Sequence, residues 1–400
     1  MGTKTLIRLL IVLAVIGGIA AIFHFAGSGG GVSREVATTN KTKVFSDFPI
    51  NEIAQIHVKS QEGELTLKKG EKAWVVSERD GYPANAEPIV GMLRTLWDLN
   101  IVQPVTISRS QYGRLSLIAP DEAPTAEEAA TIVTFKDSEG KDLHSLWLGK
   151  LFERSEGRPD PFSGGMATSE AGRYVKTGSS NSVFLVGETF ADVALEPSEW
   201  IDKTFFRVEE IQSIEIVSGD KPEDWKLTRK EGEADFALAG AKENEKLDQP
   251  KVSSMKSAFS NAQMEDVFIG DDLKENKPEE TTFKITTFEG FNYEISVGEK
   301  NDLNELPLAI KVSGKFDEKR VEGEEESDEE KARFDKIFAD ALAKLNEKLT
   351  AEKALEGHVF KVRSYIVDSI IKKRSELLAE EEPAAPAPSG EEVAPGVTLP

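Results

Sequence analysis

The chain has no cysteine. That excludes disulfides, thiolate zinc sites, cysteine nucleophiles and a lipid-modified cysteine anchor, and it leaves the compartment open. Histidine is nearly as scarce, with four copies at His24, His57, His144 and His358. None has a partner at the H-E-x-x-H spacing of a metal site, so each reads as structural or exposed. There is no Gly-x-Ser-x-Gly nucleophile elbow and no Walker lysine loop. The "GSGGG" that starts at Gly27 has no strand before it and no helix after it, so it is no dinucleotide fingerprint. Asp271, Asp272 and Asn276 lack the alternation and the glycine of a calcium loop. Carboxylates are so abundant that no pair stands out as an acid and base. We therefore expect a non-enzymatic chain with no catalytic residue, no metal and no cofactor.

Positive charge is also in deficit: 49 Lys and Arg against 71 Asp and Glu, a net charge of −22. Such a surface repels phosphate backbones, so nucleic acid is not an expected partner. The deficit is densest from Asp317 to Glu330, "DEKRVEGEEESDEE", a block expected to be solvated and flexible. The other reading of this block is a site for a cation or a basic partner.

Long apolar runs are absent with one exception, Leu9 to Gly27, which no charge interrupts. At 1.5 Å per residue this stretch reaches about 28 Å, most of a hydrocarbon core. Lys4 and Arg8 precede it and the next cation is Arg34. The positive-inside rule then places residues 1–8 in the cytoplasm, a transmembrane anchor at 9–27 and the bulk outside. Ala26-Gly27-Ser28 also resembles the cleavage site of a signal peptide, but the apolar run exceeds the usual core of such peptides. An uncleaved anchor is favoured, with the bilayer as partner of residues 9–27 and the rest exported. Residues 28–47 are Gly-rich and polar and read as a flexible tether; Asn40 begins a glycosylation-like triplet. Residues 379–400 are rich in Pro, Ala and Glu and read as a disordered tail.

What the chain does have is a repeat. Ile50, Ile53, Ile56 and Val58 match Val208, Ile211, Ile214 and Ile216, ending in the alternation of a half-buried strand. A hairpin follows in each half, turning at Gly70-Glu71 and at Glu231-Gly232, with Trp74 and Phe236 in equivalent places. Pro88 and Pro250 then open helices. Their apolar stripes are Ile89, Leu93 and Leu96 in one, and Val252, Met255, Phe259 and Ala262 in the other. Trp74/Phe236, Pro88/Pro250 and Trp97/Phe259 share one offset, so Trp74 and Trp97 read as core residues rather than sugar-stacking ones. Further hairpins follow. Val183-Phe184-Leu185-Val186 and Val359-Phe360-Lys361-Val362 then lead into helical-looking ends. The expected fold class is α+β: two tandem repeats of a mainly antiparallel sheet with helices, at 48–204 and 205–378.

The second repeat carries an acidic and helical insertion at 313–357. Its helix, about Glu329 to Leu349, places Phe334, Ile337, Phe338, Ala341, Leu342, Leu345 and Leu349 at three- and four-residue steps. That stripe packs on its own domain or docks a partner; Phe334, Ile337, Phe338, Leu342 and Leu345 are the candidate docking residues. The first repeat carries a long stretch, Leu151 to Gly172, expected to be an exposed loop. Arg154, Arg158 and Asp160 are its candidate ligand residues.

The strand spacing, the hairpin ending in Trp74, "YPANAEPIVGMLRTLWDL", the Tyr112-Gly113 pair, "LWLGK" and "RYVKTGSSNSVFLV" resemble the bacterial domain of unknown function 4340 family. The resemblance covers nearly all of the exported part. The usual Tyr-Gly-Leu stands here as Tyr112-Gly113-Arg114-Leu115, and the second repeat lacks it. The resemblance implies a membrane-anchored protein of Gram-negative-type bacteria, which with the expected orientation means a single pass through the bacterial inner membrane and the bulk of the chain on the periplasmic side. Some members are similar to accessory parts of ABC-type transport systems linked to gliding motility. It implies no catalytic residues. The functional expectation is a scaffold or accessory module that contacts other envelope proteins. The alternative is a protein that binds or hydrolyses envelope glycan through residues 151–172.

Overall fold

The computed structural model describes residues 42–159, 166–178, 180–219, 223–233, 235–243, 245–323 and 326–379. The apolar segment Leu9–Gly27, His24, Asn40, Asp160 and the tail beyond Ala379 lie outside them. Among the described residues no helix is long and apolar enough to cross a membrane.

The protein is α+β, with two antiparallel sheets and few helices. The first half contributes β1 (Gln55–Lys59), β2 (Glu64–Lys69), β3 (Trp74–Val76), β4 (Tyr82–Pro83), α1 (Ala86–Trp97), β5 (Ile101–Val105), β6 (Thr131–Lys136), β7 (Asp142–Pro159), β8 (Met166–Thr177) and β9 (Val183–Val186). The second contributes β10 (Ile211–Val217), β11 (Trp225–Thr228), β12 (Ala237–Leu238), α2 (Gln249–Ser253), β13 (Asp266–Phe268), α3 (Gly270–Glu275), β14 (Thr281–Thr287), β15 (Phe291–Val297), β16 (Glu305–Gly314), α4 (Asp328–Lys353), β17 (Val359–Arg363) and α5 (Tyr365–Asp368). The sheets run β4-β3-β2-β1-β6-β7-β8-β9-β5 and β12-β11-β10-β14-β15-β16-β17-β13. Without the short edge strand β4, the two orders coincide strand for strand.

The register shows why. A one-residue slip would turn every apolar side chain to the wrong face, so the buried pairs pin each strand. Ile56 faces Phe135 and Leu67, as Ile214 faces Ile285 and Leu227. Val175 faces Phe184, as Leu308 faces Phe360. These core side chains are buried, Phe184 only partly, and all belong to one continuous cluster that spans both halves. Helix α1 follows from its sequence: the Asn85 side chain accepts from Glu87 N, and Ile89, Leu93 and Leu96 form the buried stripe.

Polar groups lock the joint between the halves. The Arg79 guanidinium donates to both oxygens of Asp266, Nε to Oδ1 at 2.7 Å and Nη2 to Oδ2 at 2.7 Å. Both side chains are about 85% covered, at 15% and 13% exposure. Asp266 Oδ1 also accepts from Val267 N. Planar two-point pairing of this kind is the strong form of an ion pair. Beside it, the Tyr82 ring meets His358 and Phe360 edge-on at 5.1 and 6.2 Å. Burial pushes the Tyr82 phenol up to about 12 and pulls His358 down. His358 therefore acts as a neutral ring in this packing.

Several expectations are corrected. Residues 151–159 and 166–172 are not a loop: β7 and β8 extend into a two-stranded ribbon, with Leu151 opposite Arg173 and Ser155 opposite Thr168. A backbone ladder needs no apolar pattern, and the polar sequence hid it. No α-helix follows β9 before β10; the chain makes only a 3₁₀ turn at Pro197–Glu199. The Arg173 guanidinium takes the carbonyls of Thr189 and Phe190 at 2.8 and 3.3 Å, and Phe190 has φ 53°, which ends any helical path. The helix at Pro250 stops at Ser257 after a 3₁₀ turn. Ser253 and Ser257 hydroxyls bond back to the carbonyls of Pro250 and Ser254, a competing pattern that weakens helices. Phe259 lies past that end with φ 61°. Trp97 is 49% exposed rather than core, with Lys43 Nζ 4.0 Å over its ring. The end of the tether belongs to the fold, since Phe45 is buried against Phe48 and Val44 N donates to Leu99 O. The described part of the acidic block is organised by Arg320, whose Nη2 donates to Glu326 Oε2 at 2.6 Å and Asp335 Oδ1 at 3.0 Å. Arg320 holds the Glu326 carboxyl below its usual range.

Candidate functional site

Helix α1 has a second stripe besides its core face. Glu87, Gly91 and Thr95 stand four residues apart, so they share one side of the helix. With Pro88 and Met92 they form one wall of a groove of about 690 Å³, within the range of natural ligand pockets, about 300–1,000 Å³. The other wall is the chain after β9: Glu188, Phe190, Asp192, Val193 and Ala194, closed by Glu199 and Trp200.

Both walls are fixed by backbone contacts. Arg173, on β8, donates through Nε to Gly149 O at 2.8 Å and through Nη1 to Thr189 O and Phe190 O. This holds the irregular wall against the sheet. Trp200 is 2% exposed; its Nε1 donates to Ala194 O at 2.9 Å. Its carbonyl accepts from Asn85 N at 2.7 Å, and Ala84 bridges Ile201. The base of the groove is thereby tied to the residue that caps α1.

Chemistry separates floor from rim. Pro88, Met92, Phe190, Val193 and Ala194 are half-buried and apolar, while Glu87, Glu188, Asp192 and Glu199 are exposed. Among the described residues no lysine or arginine lines the groove. Gly91 opens the floor: a Cβ added there meets nothing within 4 Å. A glycine inside a helix costs about 0.5–1 kcal/mol relative to alanine, and the folded chain shows no steric need for it.

A second, shallower concavity of about 390 Å³ lies on the face of the second sheet opposite its core. Its charges are of both signs: Lys226 pairs with Glu215 at 3.1 Å and Lys311 with Glu294 at 3.3 Å, and Lys284 also lines it. The groove on α1, with charge of one sign and an apolar floor, is the better candidate.

The helix α4 runs from Asp328 to Lys353 behind a capping box formed by Ser327 and Glu330. Of the candidate docking residues, Leu345 packs on the core together with Leu349 and is not free. Phe334, Phe338 and Leu342 are half-buried and Ile337 is 57% exposed. Arg320 stands 5.5 Å over the Phe334 ring. Near its C-terminal end the helix is held by Glu352, which accepts from Arg207 N at 3.0 Å and from the Tyr293 hydroxyl at 2.8 Å. Burial pushes the Glu352 carboxyl up and the Tyr293 phenol far up. Of the candidate ligand residues, Arg154 is exposed on β7 opposite Ser169. Arg158 lies on the same strand with its side chain outside the described set, and Asp160 lies outside it altogether. Sequence reasoning missed the groove; its one signal was the unexplained Gly91 within a helical stripe.

Among the described residues, no three His, Asp or Glu side chains are placed to hold a metal ion. The model of a family described as a domain of unknown function (DUF4340) matches residues 74–284, which include both groove walls. No curated protein and no solved structure matches the chain.

Proposed function

Starting from the fact that the chain belongs to the DUF4340 family, we propose that it is a membrane-anchored, periplasm-facing module without enzymatic activity. It docks other envelope proteins, and an ABC-type transport complex is the assembly it best fits. The apolar run Leu9–Gly27 behind Lys4 and Arg8 supports the anchor and its orientation. The equal strand orders support an origin of the body by tandem duplication. The observation that carries the docking reading is the α1 groove, a preformed apolar floor with a rim of four carboxylates that form no ion pair among the described residues. The N-terminal part of α4, with Ile337 exposed, supplies a second contact surface.

Fractionation tests the anchor. The full chain should stay with membranes after a high-salt and carbonate wash, and protease added to spheroplasts should digest it. A soluble full chain, or one shielded from that protease, contradicts the reading. Co-purification from detergent-solubilised membranes tests docking: Ile337→Lys should lose a stoichiometric partner. Deleting 317–356 is a poor test, because it removes Glu352 and Leu355 from the core.

A further inference from the structure

We propose that the groove between α1 and the segment after β9 seats a cationic peptide segment of a partner protein, in which lysine or arginine alternates with apolar side chains. This rests on the docking reading above and names the partner's chemistry. Four carboxylates, Glu87, Glu188, Asp192 and Glu199, rim the groove without a cation among its lining. Among the described residues none of the four is in an ion pair, whereas the carboxylates of the second concavity are. Like charges gathered around one cleft repel each other and attract the opposite charge from solution. The four do not converge as metal ligands do, so the complementary charge must be spread along an extended chain. The floor sets the second requirement. Phe190, Met92 and Val193 present half-buried apolar surface, which gains from contact with apolar side chains and not from charge alone. Gly91 supplies the third argument. It lies mid-helix between Glu87 and Thr95, its Cβ would point into free space, and alanine would serve the helix better. The glycine keeps open a track against which a peptide can lie close. The walls need no rearrangement, because Arg173 and Trp200 already hold them, and a preformed site avoids the ordering cost of binding.

The test uses the full chain in detergent micelles and a fluorescein-labelled ten-residue peptide of alternating Lys and Leu, read by anisotropy at physiological salt. Saturable one-to-one binding is expected. Gly91→Leu, which changes no charge, should weaken it at least about tenfold, equivalent to about 1.4 kcal/mol. The set E87Q, E188Q, D192N and E199Q should do the same. A control set at exposed carboxylates elsewhere, E71Q, E139Q, E299Q and D302N, should change it little. Because the isosteric rim set leaves the backbone alone, it also decides the matter if Gly91→Leu misfolds. Unchanged binding in both groove variants overturns the proposal. So does an equal loss in the control set, which would mean diffuse attraction to an acidic protein, or displacement by spermidine as effective as by unlabelled peptide. A partner that still co-purifies with Gly91→Leu also overturns the groove as its seat while leaving the docking reading intact. A wild-type chain found free of membranes sinks that reading without touching the peptide result.

Discussion

The two halves share a strand order but not a covering. In the first half, extra residues enter between β5 and β6 and lie across the outer face of the sheet. There Tyr112, Leu117 and Val183 form a small second cluster with Trp147 packed against it, and the Tyr112 hydroxyl donates to Asn181 O at 2.8 Å. In the second half the extra residues enter between β16 and β17 as α4, and the matching face stays bare with charges of both signs, among them the pairs Lys226 with Glu215 and Lys311 with Glu294. The helices differ as well. α1 has twelve residues, α2 has five. After β9 the chain runs as irregular backbone and walls the groove. After β17 it turns into α5 and buries Ile366, Val367 and Ile370. Equal frameworks therefore carry different surfaces: a groove beside α1 on the first copy, and a shallower concavity on the bare sheet face of the second. The ladder of main-chain hydrogen bonds and the alternating apolar side chains set the frame, and the connections set the surface available to partners.

The largest expected effect breaks the joint between the copies. Arg79→Ala leaves the Asp266 carboxylate buried without its cation and should cost about 3–5 kcal/mol in urea unfolding. Replacing both residues together, Arg79→Met with Asp266→Leu, should cost far less. A small effect of the single variant would show that the halves are not locked there.

The covering of the first sheet comes next. Leu117 is 0% exposed, and Leu117→Ala should destabilise by about 2–3 kcal/mol. The charge pair on the equivalent bare face, Lys311 with Glu294, is solvent-exposed, and its removal should change stability by no more than about 0.5 kcal/mol. Equal costs would erase the distinction between a covered and a bare face.

Glu352 sharpens the comparison through pH. Burial raises its carboxyl in the folded state above the ordinary 4.5. The folded protein then holds that proton more tightly than the unfolded chain does. The contribution of this group to stability is accordingly greatest below the ordinary value, and it falls as pH rises from about 4.5 through the raised value. Glu352→Gln should lack this fall, seen by subtracting the two stability–pH curves. A difference curve that rises over the same interval contradicts the assignment. Gly91→Ala should stabilise the fold by only about 0.5–1 kcal/mol; a loss of stability would mean that Gly91 serves folding.

Much of the frame was legible because buried alternation leaves a period-two trace. Ile56 and Val58 against Ile214 and Ile216 announced equivalent strands, and Val-Phe-x-Val marked β9 and β17. The ion-pair joint was not legible, since Arg79 and Asp266 lie 187 positions apart in a chain full of charges. The ribbon of β7 and β8 escaped because its pairing is main-chain. The missing helix after β9 escaped because what prevents it is Arg173, on another strand. Of the site, the sequence analysis reached only the helix itself, through Pro88 and the core stripe Ile89, Leu93 and Leu96; the opposite face with Glu87, Gly91 and Thr95 went unread, because a pattern within one helix does not show what stands across from it.

The central claim is that two sheets of one design form a single body. Amide hydrogen exchange of the full chain, followed by mass spectrometry across a urea series, tests it most directly. The account predicts that the central strands of both sheets, β1 and β6 in one and β10 and β14 in the other, lose protection together at one midpoint. Loss of protection in one sheet while the other stays closed would contradict it.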